Sequence, residues 1–186
     1  ATQRIFDAFL GPAGNTFFAV STMLVAVPTG IKMFNWLATL WGGKIRFATP
    51  MLFAVGFLFQ FLCAGLTGIM LGVAPFDWQL SDSYFVVAHF HYVLIGGLLF
   101  TIFAAIYYWF PKATGRLLDE TLGRWHFWLF VIGFNLTFAP LHVAGMIGMP
   151  RRIYTYEAGR GFEIWNLMSS AGVAFQGAAI LVFLWN

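Results

Sequence analysis

The stretch Val86–Leu94, with the sequence VVAHFHYVL, places two histidines in a run of residues so apolar that we expect it to cross a membrane. Successive residues of an α-helix are rotated by about 100°, so side chains two positions apart point roughly 200° apart. His89 and His91 therefore face opposite sides of the helix and do not share one metal ion. Such a helix could instead stand between two cofactors and give each of them one axial imidazole.

A packing role is the alternative for each histidine taken alone, because a histidine buried in a membrane is often only a hydrogen-bonding partner between helices. We expect that packing or interfacial role for His126 and His142, since neither has a partner at a patterned spacing. Two histidines on opposite faces of one helix are harder to explain in this way. Ionisable groups at membrane depth are costly and usually functional, so the pair favours two metal-bearing cofactors.

The composition excludes a soluble globular domain. Hydrophobic residues make up 60% of the chain and charged residues only 9%, whereas about 25% of the residues of a soluble domain are charged. The formal net charge of +3 is therefore assigned to loops, and no nucleic-acid partner is expected. The one cysteine, Cys63, lies in an apolar run and is expected to be a small buried hydrophobe.

Five apolar segments are long enough to cross a lipid bilayer, which takes about 20 helical residues each. They are expected at residues 16–40, 48–72, 84–110, 125–148 and 162–186. No repeat or low-complexity segment divides the chain, so residues 1–186 are expected to form one all-α, multi-pass transmembrane domain. Because the sequence has no initiator Met and its last apolar run stops abruptly, we expect a portion of a longer chain.

Lys32 is the strongest polar interruption of the first span, about two to three turns from its end. Pro28 and Gly30 should disturb the helix there and free backbone carbonyls that Thr29 or water could meet. A lysine at this depth either extends to the membrane surface or lines a wet cavity. The distance from the boundary favours the cavity, where a lysine could lose and regain protons along a proton path.

Charged residues flank the histidine helix at two places. The segment Ala74–Ser83 is predicted to be a loop and carries Asp77 and Asp82 within one or two turns of the histidines. Arg151 and Arg152 follow the fourth span, where lipid headgroup binding and a specific role remain equally open.

Four motifs in this order resemble the subunit I family of haem-copper oxidases, in its cytochrome c oxidase branch. They are VPTGIK at 27–32, FNWLAT at 34–39, YFVVAHFHYVL at 84–94 and GMPRR at 148–152. The resemblance extends from about Asn15 to the end, and it implies that the five spans are the eighth to twelfth helices of a twelve-helix bundle. It also implies a bacterial cytoplasmic or organellar inner membrane. The implied partners are the remaining helices of subunit I, oxidase subunits II and III, and cytochrome c or a quinol-derived electron donor.

The resemblance implies two haems, of unspecified type, on the two faces of the histidine helix. His89 would be the proximal iron ligand of the high-spin haem where oxygen is reduced. His91 would ligate the iron of the low-spin haem, and Phe90 would lie between the haems. The family's activity would then be electron transfer between the haems for the reduction of O2 to water, coupled to proton uptake or translocation.

The same resemblance implies roles for five further residues. Lys32 and Thr29 would belong to the family's lysine proton channel. Asp77, Arg151 and Arg152 would hold the haem propionates.

Two positions depart from the family's pattern. Ser81–Asp82 stands where His-Asp is usual, and that pair helps to bind a magnesium ion between subunits, so Asp82 is the remaining candidate ligand. Copper is expected from the family, but its adjacent histidines should fall near Gln3–Arg4, where neither side chain can replace an imidazole. The third copper histidine and its tyrosine, with the second ligand of the low-spin haem, belong to helices that this sequence does not contain.

The leading hypothesis is thus a part of the catalytic subunit of a respiratory cytochrome c oxidase. The alternative is a haem-carrying or structural subunit of a respiratory complex that has lost the copper site and oxygen chemistry, as Gln3–Arg4 and Ser81 suggest. A five-helix transporter with Lys32 as its proton carrier leaves the opposed histidines unexplained. A nitric oxide reductase is disfavoured because Lys32 and its Pro-Thr-Gly context resemble the oxidase branch.

Overall fold

The computed structural model describes residues 2–186, with side chains described from residue 11 onward. The α-helices are α1 (Thr2–Leu40), α2 (Thr49–Gly72), α3 (Ala74–Leu80), α4 (Tyr84–His91), α5 (Phe100–Thr114), α6 (Glu120–Met146) and α7 (Glu163–Trp185). A π-helical segment, Tyr92–Leu99, joins α4 to α5 without a break. Within residues 2–186 the extended structure amounts to one isolated bridge, between Ser83 and Pro150, which confirms the all-α prediction.

Five stretches are long and apolar enough to cross a membrane, as the sequence predicted. They are Gly11–Leu40, Thr49–Gly72, Tyr84–Thr114, Glu120–Met146 and Glu163–Trp185. Their apolar side chains cannot be covered by so few helices, and many stay exposed where a bilayer or further helices would contact them.

Two predicted boundaries were wrong because local capping moves them. The third span does not end at residue 110: Pro111 lies inside α5, which ends at Thr114 and is capped by the left-handed backbone of Gly115 (φ 72°). The fourth span begins at Glu120 rather than Trp125, because the Asp119 side chain accepts a hydrogen bond of 2.8 Å from the N–H of Leu122.

The predicted loop 74–83 instead contains α3, a correction to the sequence analysis. Pro75 occupies the first turn of this helix, where its missing N–H costs nothing, and Asp77 also lies in that turn. An acidic side chain is favoured at a helix N-terminus, so residues that predict a turn can equally begin a short helix.

α1 is a long helix with one break. The break is a kink at Gly11, whose backbone is non-helical (φ 59°, ψ −175°). Pro28 lies inside the helix and removes one backbone N–H. Thr29 Oγ1 donates to the carbonyl of Val25 at 2.9 Å, in the turn that Pro28 disturbs.

The core is aromatic and lies between α2, α5 and α6. Its fully or almost fully buried rings include Phe53, Phe100, Phe103, Phe127, Phe130 and Phe134. The rings meet mostly edge-to-face or tilted, an arrangement that favours attraction between the edge of one ring and the face of the next. Such packing holds helices together in a membrane, where burial of apolar surface gives little net driving force.

The loops before α4 and after α6 are joined at one end of the bundle. Tyr84 N–H donates to the carbonyl of Met149 at 2.9 Å, and Arg151 N–H donates to that of Asp82 at 2.8 Å. Because these bonds connect residues far apart in sequence, they set α4 and α6 side by side.

Candidate cofactor site on the histidine helix

His89 faces α2. Its Nδ1 lies 3.0 Å from the hydroxyl oxygen of Thr67, which also lies 2.9 Å from the carbonyl of Cys63. Because a carbonyl can only accept, the Thr67 hydroxyl donates to the backbone and accepts the N–H of His89 Nδ1. In this tautomer Nε2 carries the lone pair that a metal requires.

His91 faces α6. Its Nδ1 donates to the carbonyl of Val87 at 2.7 Å, which again leaves the lone pair on Nε2. The ring is stacked between Phe90, at 4.4 Å, and Phe138 of α6, at 4.2 Å and 17°. The contacts of the two imidazoles with different helices confirm that they point to opposite sides of α4.

This divergence survives because α4 stays α-helical through both histidines. The π-helical segment, which the sequence analysis missed, begins at the next residue, Tyr92. Gly96 and Gly97 lie in it against α2, and a Cβ on Gly96 would come within 2.8 Å of the Gln60 side chain. The two glycines let α2 approach closely, and π segments often occur at functional sites.

Asn135 is a second residue that the sequence analysis did not single out. The Tyr92 hydroxyl donates to Asn135 Oδ1 at 2.8 Å, and Asn135 Nδ2 donates to the carbonyl of Val131 at 2.9 Å. This bond joins α6 to the residue that directly follows His91 and so fixes the rotation of the histidine helix. Its side-chain amide, in an otherwise apolar helix, was the sequence feature that could have indicated a hydrogen bond between helices.

Asp82 and Arg151 form an ion pair at the loop end of the bundle. Arg151 donates through Nε, at 2.8 Å, and through Nη2 to the same carboxylate oxygen. The hydrogen bonds and the charge of Arg151 lower the pKa of Asp82 below its ordinary value of 3.8. The carboxylate proposed for magnesium is thus bound to a guanidinium.

Metal ligation by Asp82 gains no support from the described side chains. Among residues 11–186 there is no group of three or more His, Cys, Asp or Glu that could hold a metal ion. Asp77 is partly buried in α3, whereas Arg152 is exposed in a left-handed conformation (φ 65°). Gln3 and Arg4 lie outside the residues whose side chains are described.

Lys32 is exposed on α1, eight residues before its last residue, or about 12 Å along the helix. Thr29 lies one turn earlier. The side chains described from residue 11 onward do not enclose Lys32 in the expected cavity. An apolar cavity of about 830 Å³ lies nearer the start of α1, between that helix and the α2–α3 corner, and Lys32 does not line it.

The two histidines of α6 pack against neighbouring side chains, as predicted. His126 is fully buried in α6, with Nδ1 3.2 Å from the Tyr107 hydroxyl. His142 packs against the rings of Phe85 and Tyr92. Gln60 is also fully buried, and Cys63 is half-buried with a free thiol.

The sequence matches the family model described as Cytochrome C and Quinol oxidase polypeptide I over residues 6–175. The chain is 50% identical, over 99% of its length, to cytochrome c oxidase subunit 1 of Alkalihalophilus pseudofirmus, of which it covers 29%. It is 54% identical, over 91% of its length, to a probable cytochrome c oxidase subunit 1-beta of Nocardia farcinica, again covering 29%. It is 46% identical, over its whole length, to quinol oxidase subunit 1 of Bacillus subtilis, covering 28%.

The fold is also that of a solved structure. The chain superimposes on a heme-copper terminal oxidase solved as a dimer by cryo-EM, with a TM-score of 0.75 and 17% identity. The superposition covers 94% of this chain and 36% of that one. The chain spans less than a third of the length of the sequence relatives above. Because the family model matches most of its length, the chain belongs to the cytochrome c and quinol oxidase polypeptide I family, the multi-pass subunit I of haem-copper oxidases.

Proposed function

We propose that this chain is the part of a respiratory oxidase's catalytic subunit that holds one haem on each side of α4. His91 would ligate the low-spin haem and His89 the high-spin haem, for the reduction of O2 to water coupled to proton uptake or translocation. The observation that carries the proposal is the divergence of the two rings, each with Nδ1 engaged as a donor. A neutral imidazole held in this way presents Nε2 to iron.

The residues around α4 fit such groups. Both histidines keep the metal-binding tautomer, in which Nε2 carries the lone pair. Haem iron, with copper at the oxygen site, would supply the redox chemistry when bound. The chain's own tasks are to hold the imidazoles, to cover the His91 ring with those of Phe90 and Phe138, and to bind the propionates.

We assign propionate binding to Arg151, Arg152 and Asp77. Arg151 uses Nε and Nη2 on Asp82, so Nη1 keeps two N–H donors for another carboxylate. A guanidinium held by one carboxylate is pre-organised for a second one. Asp82, bound in this way, is a weak candidate for magnesium.

Lys32 and Thr29 are proposed to carry protons. The support is their spacing of one helical turn on α1 and the depth of Lys32 in an apolar span. Lys32 would take up and release protons at Nζ, and the hydroxyl of Thr29 would be its hydrogen-bonding neighbour.

We propose cytochrome c as the electron source, with oxidase subunits II and III and the remaining helices of subunit I as partners in a bacterial membrane. The bacterial relatives named as cytochrome c oxidases are 50% to 54% identical to this chain, against 46% for the quinol oxidase. A quinol remains the competing donor. Oxygen uptake by the purified oxidase with reduced cytochrome c, compared with a quinol, decides between them.

The central test replaces each histidine in the complete oxidase. We expect His91→Ala to lose the low-spin haem spectrum and His89→Ala to lose the high-spin spectrum, and both to abolish oxygen uptake. His126→Gln is the matched control, because His126 is a buried packing residue, and it should retain both spectra. Unchanged turnover in His89→Ala would eliminate the proposal.

A second candidate is a haem-carrying or structural subunit without oxygen chemistry, favoured by Gln3–Arg4 at the position expected for copper histidines. Metal analysis of the purified complex separates the two candidates. Copper at one atom per high-spin haem supports the oxidase, whereas iron without copper at that site supports the second candidate.

A further inference from the structure

The imidazole of His89 lies against the backbone of α2 at Gly68. A Cβ built on Gly68 would be 2.9 Å from Cε1 of the ring and 3.6 Å from Nε2. A contact of 2.9 Å is shorter than real Cβ atoms tolerate, so alanine would force the ring to move. Gly65, in the same helix, would meet nothing within 4 Å. The requirement for glycine is therefore specific to the position beneath the ring.

Thr67, the neighbour of Gly68, fixes the same ring through its hydroxyl. Its oxygen lies 2.9 Å and 3.0 Å from the carbonyls of Cys63 and Ala64, besides 3.0 Å from His89 Nδ1. The two carbonyls hold the hydroxyl proton on the α2 side and turn a lone pair to the imidazole. In this arrangement the hydroxyl accepts the proton of Nδ1, beside the carbonyl of Ala64, which can only accept and which also hydrogen-bonds to the ring.

Many membrane threonines bond only to their own helix, and Thr101 shows that simpler pattern. Its hydroxyl donates to the carbonyls of Gly97, at 3.2 Å, and Leu98, at 2.6 Å, and its described bonds include no histidine. Thr67 makes the same intrahelical bonds and one more, to the ring.

We propose that Thr67 and Gly68 are the positioning residues of His89: the hydroxyl accepts the proton of Nδ1 and so, together with the Ala64 carbonyl, keeps Nε2 free, and the glycine sets the plane of the ring. The inference rests on the proposed function, in which His89 ligates the high-spin haem. An acceptor at Nδ1 makes an imidazole a stronger ligand, and loss of such a partner typically weakens metal binding by about 10- to 100-fold. Neither residue touches the reacting atoms.

The test uses the complete oxidase and measures the iron–histidine stretching band of the reduced high-spin haem by resonance Raman, with the ratio of high-spin to low-spin haem. Thr67→Val, which keeps the shape and removes the hydroxyl, should lower the frequency of the band or the high-spin haem content. Thr67→Ser, which restores the hydroxyl, and Thr101→Val should match the unmodified oxidase. A Thr67→Val oxidase with an unchanged band and haem ratio overturns the role of the hydroxyl, as does a Thr67→Ser oxidase as impaired as Thr67→Val.

The glycine is tested by a second pair of variants, which also decides the matter if Thr67→Val does not assemble. Gly68→Ala should shift the band or lower the haem ratio, whereas Gly65→Ala should do neither. Identical bands and haem ratios in the two alanine variants refute the positioning role. If the unmodified oxidase shows no such band, or His89→Ala retains it, the proposed function itself fails. A band that depends on His89 but not on Thr67 or Gly68 refutes this inference alone.

Discussion

Each histidine of α4 is held by a bond to Nδ1, but the two bonds have different origins. His91 uses the carbonyl of Val87, four residues earlier in its own chain, whereas His89 uses the side chain of Thr67 on another helix. The first bond forms wherever the helix forms. The second one depends on the packing of α2 against α4, so His89 is the histidine whose orientation depends on tertiary structure.

The bond between Tyr92 and Asn135 should stabilise the arrangement around His91. Tyr92→Phe removes the hydroxyl and leaves the amide oxygen of Asn135 without its donor, which should lower the free energy of unfolding by about 0.6 to 1.7 kcal/mol. Thermal unfolding in detergent measures the change. Tyr154→Phe is the control, because Tyr154 is fully exposed and its variant should unfold like the unmodified protein. Equal losses in both variants would contradict the assignment.

At the scale of the elements, the most extensive helix contact is between α6 and α7, which meet through glycine. A Cβ on Gly133 would lie 2.9 Å from the carbonyl oxygen of Gly172, and a Cβ on Gly172 would lie 2.7 Å from that of Gly133. The Gln176 side chain also donates to Thr137 across this interface at 2.6 Å. Small residues let the backbones approach so closely that van der Waals contacts and hydrogen bonds hold the pair.

Gly172→Ala should separate α6 from α7. The new methyl group would meet the Thr137 backbone nitrogen at 2.5 Å, and relief of such overpacking typically costs about 1 to 3 kcal/mol. The midpoint of thermal unfolding should fall accordingly. Gly177→Ala, also in α7 but with nothing within 4 Å of its added Cβ, should leave that midpoint unchanged. A Gly172→Ala protein as stable as Gly177→Ala would show that the interface is not tight there.

At the scale of the whole molecule, the ion pair of Asp82 and Arg151 joins loops that are 69 residues apart in sequence. The pair acts together with the bond from Arg151 N–H to the carbonyl of Asp82 and with the isolated bridge between Ser83 and Pro150. These contacts join the loop before α4 to the loop after α6. They therefore hold α4, which carries His91, against α6, which carries its stacking partner Phe138.

The contribution of this ion pair should depend on pH. Because folding lowers the pKa of Asp82 below its ordinary 3.8, the stabilisation is complete above that pH and is lost as the pH falls through the lowered pKa. Asp82→Asn should thus unfold at a lower temperature than the unmodified protein at neutral pH, and the difference should shrink below about pH 4.

Glu157→Gln provides the comparison for this prediction. Glu157 pairs with Arg160 three residues away, and both side chains are largely exposed, so little stability depends on that pair. Melting curves of the three proteins across the acid range check the prediction. A gap between Asp82→Asn and the unmodified protein that stays constant with pH would contradict it.

The sequence by itself determined the features that depend on one segment at a time. Span number follows from apolar length, and the opposed directions of His89 and His91 follow from the rotation per residue of any α-helix. The motif matches identified the family. Gly115 and Asp119 moved two boundaries by a few residues, because capping bonds act within a single turn.

Only the tertiary structure decided which groups surround the two imidazoles. Thr67, Phe138 and Asn135 come from helices distant in sequence, and no local pattern indicates that they reach α4. The same holds for the pairing of Asp82 with Arg151. The sequence predicted a magnesium ion as the partner of Asp82 and a haem propionate as the partner of Arg151. The close packing of α2 on Gly96 and Gly97 is likewise a contact between helices distant along the chain. Helix geometry is a local property of the backbone, whereas these contacts exist only once the helices have packed.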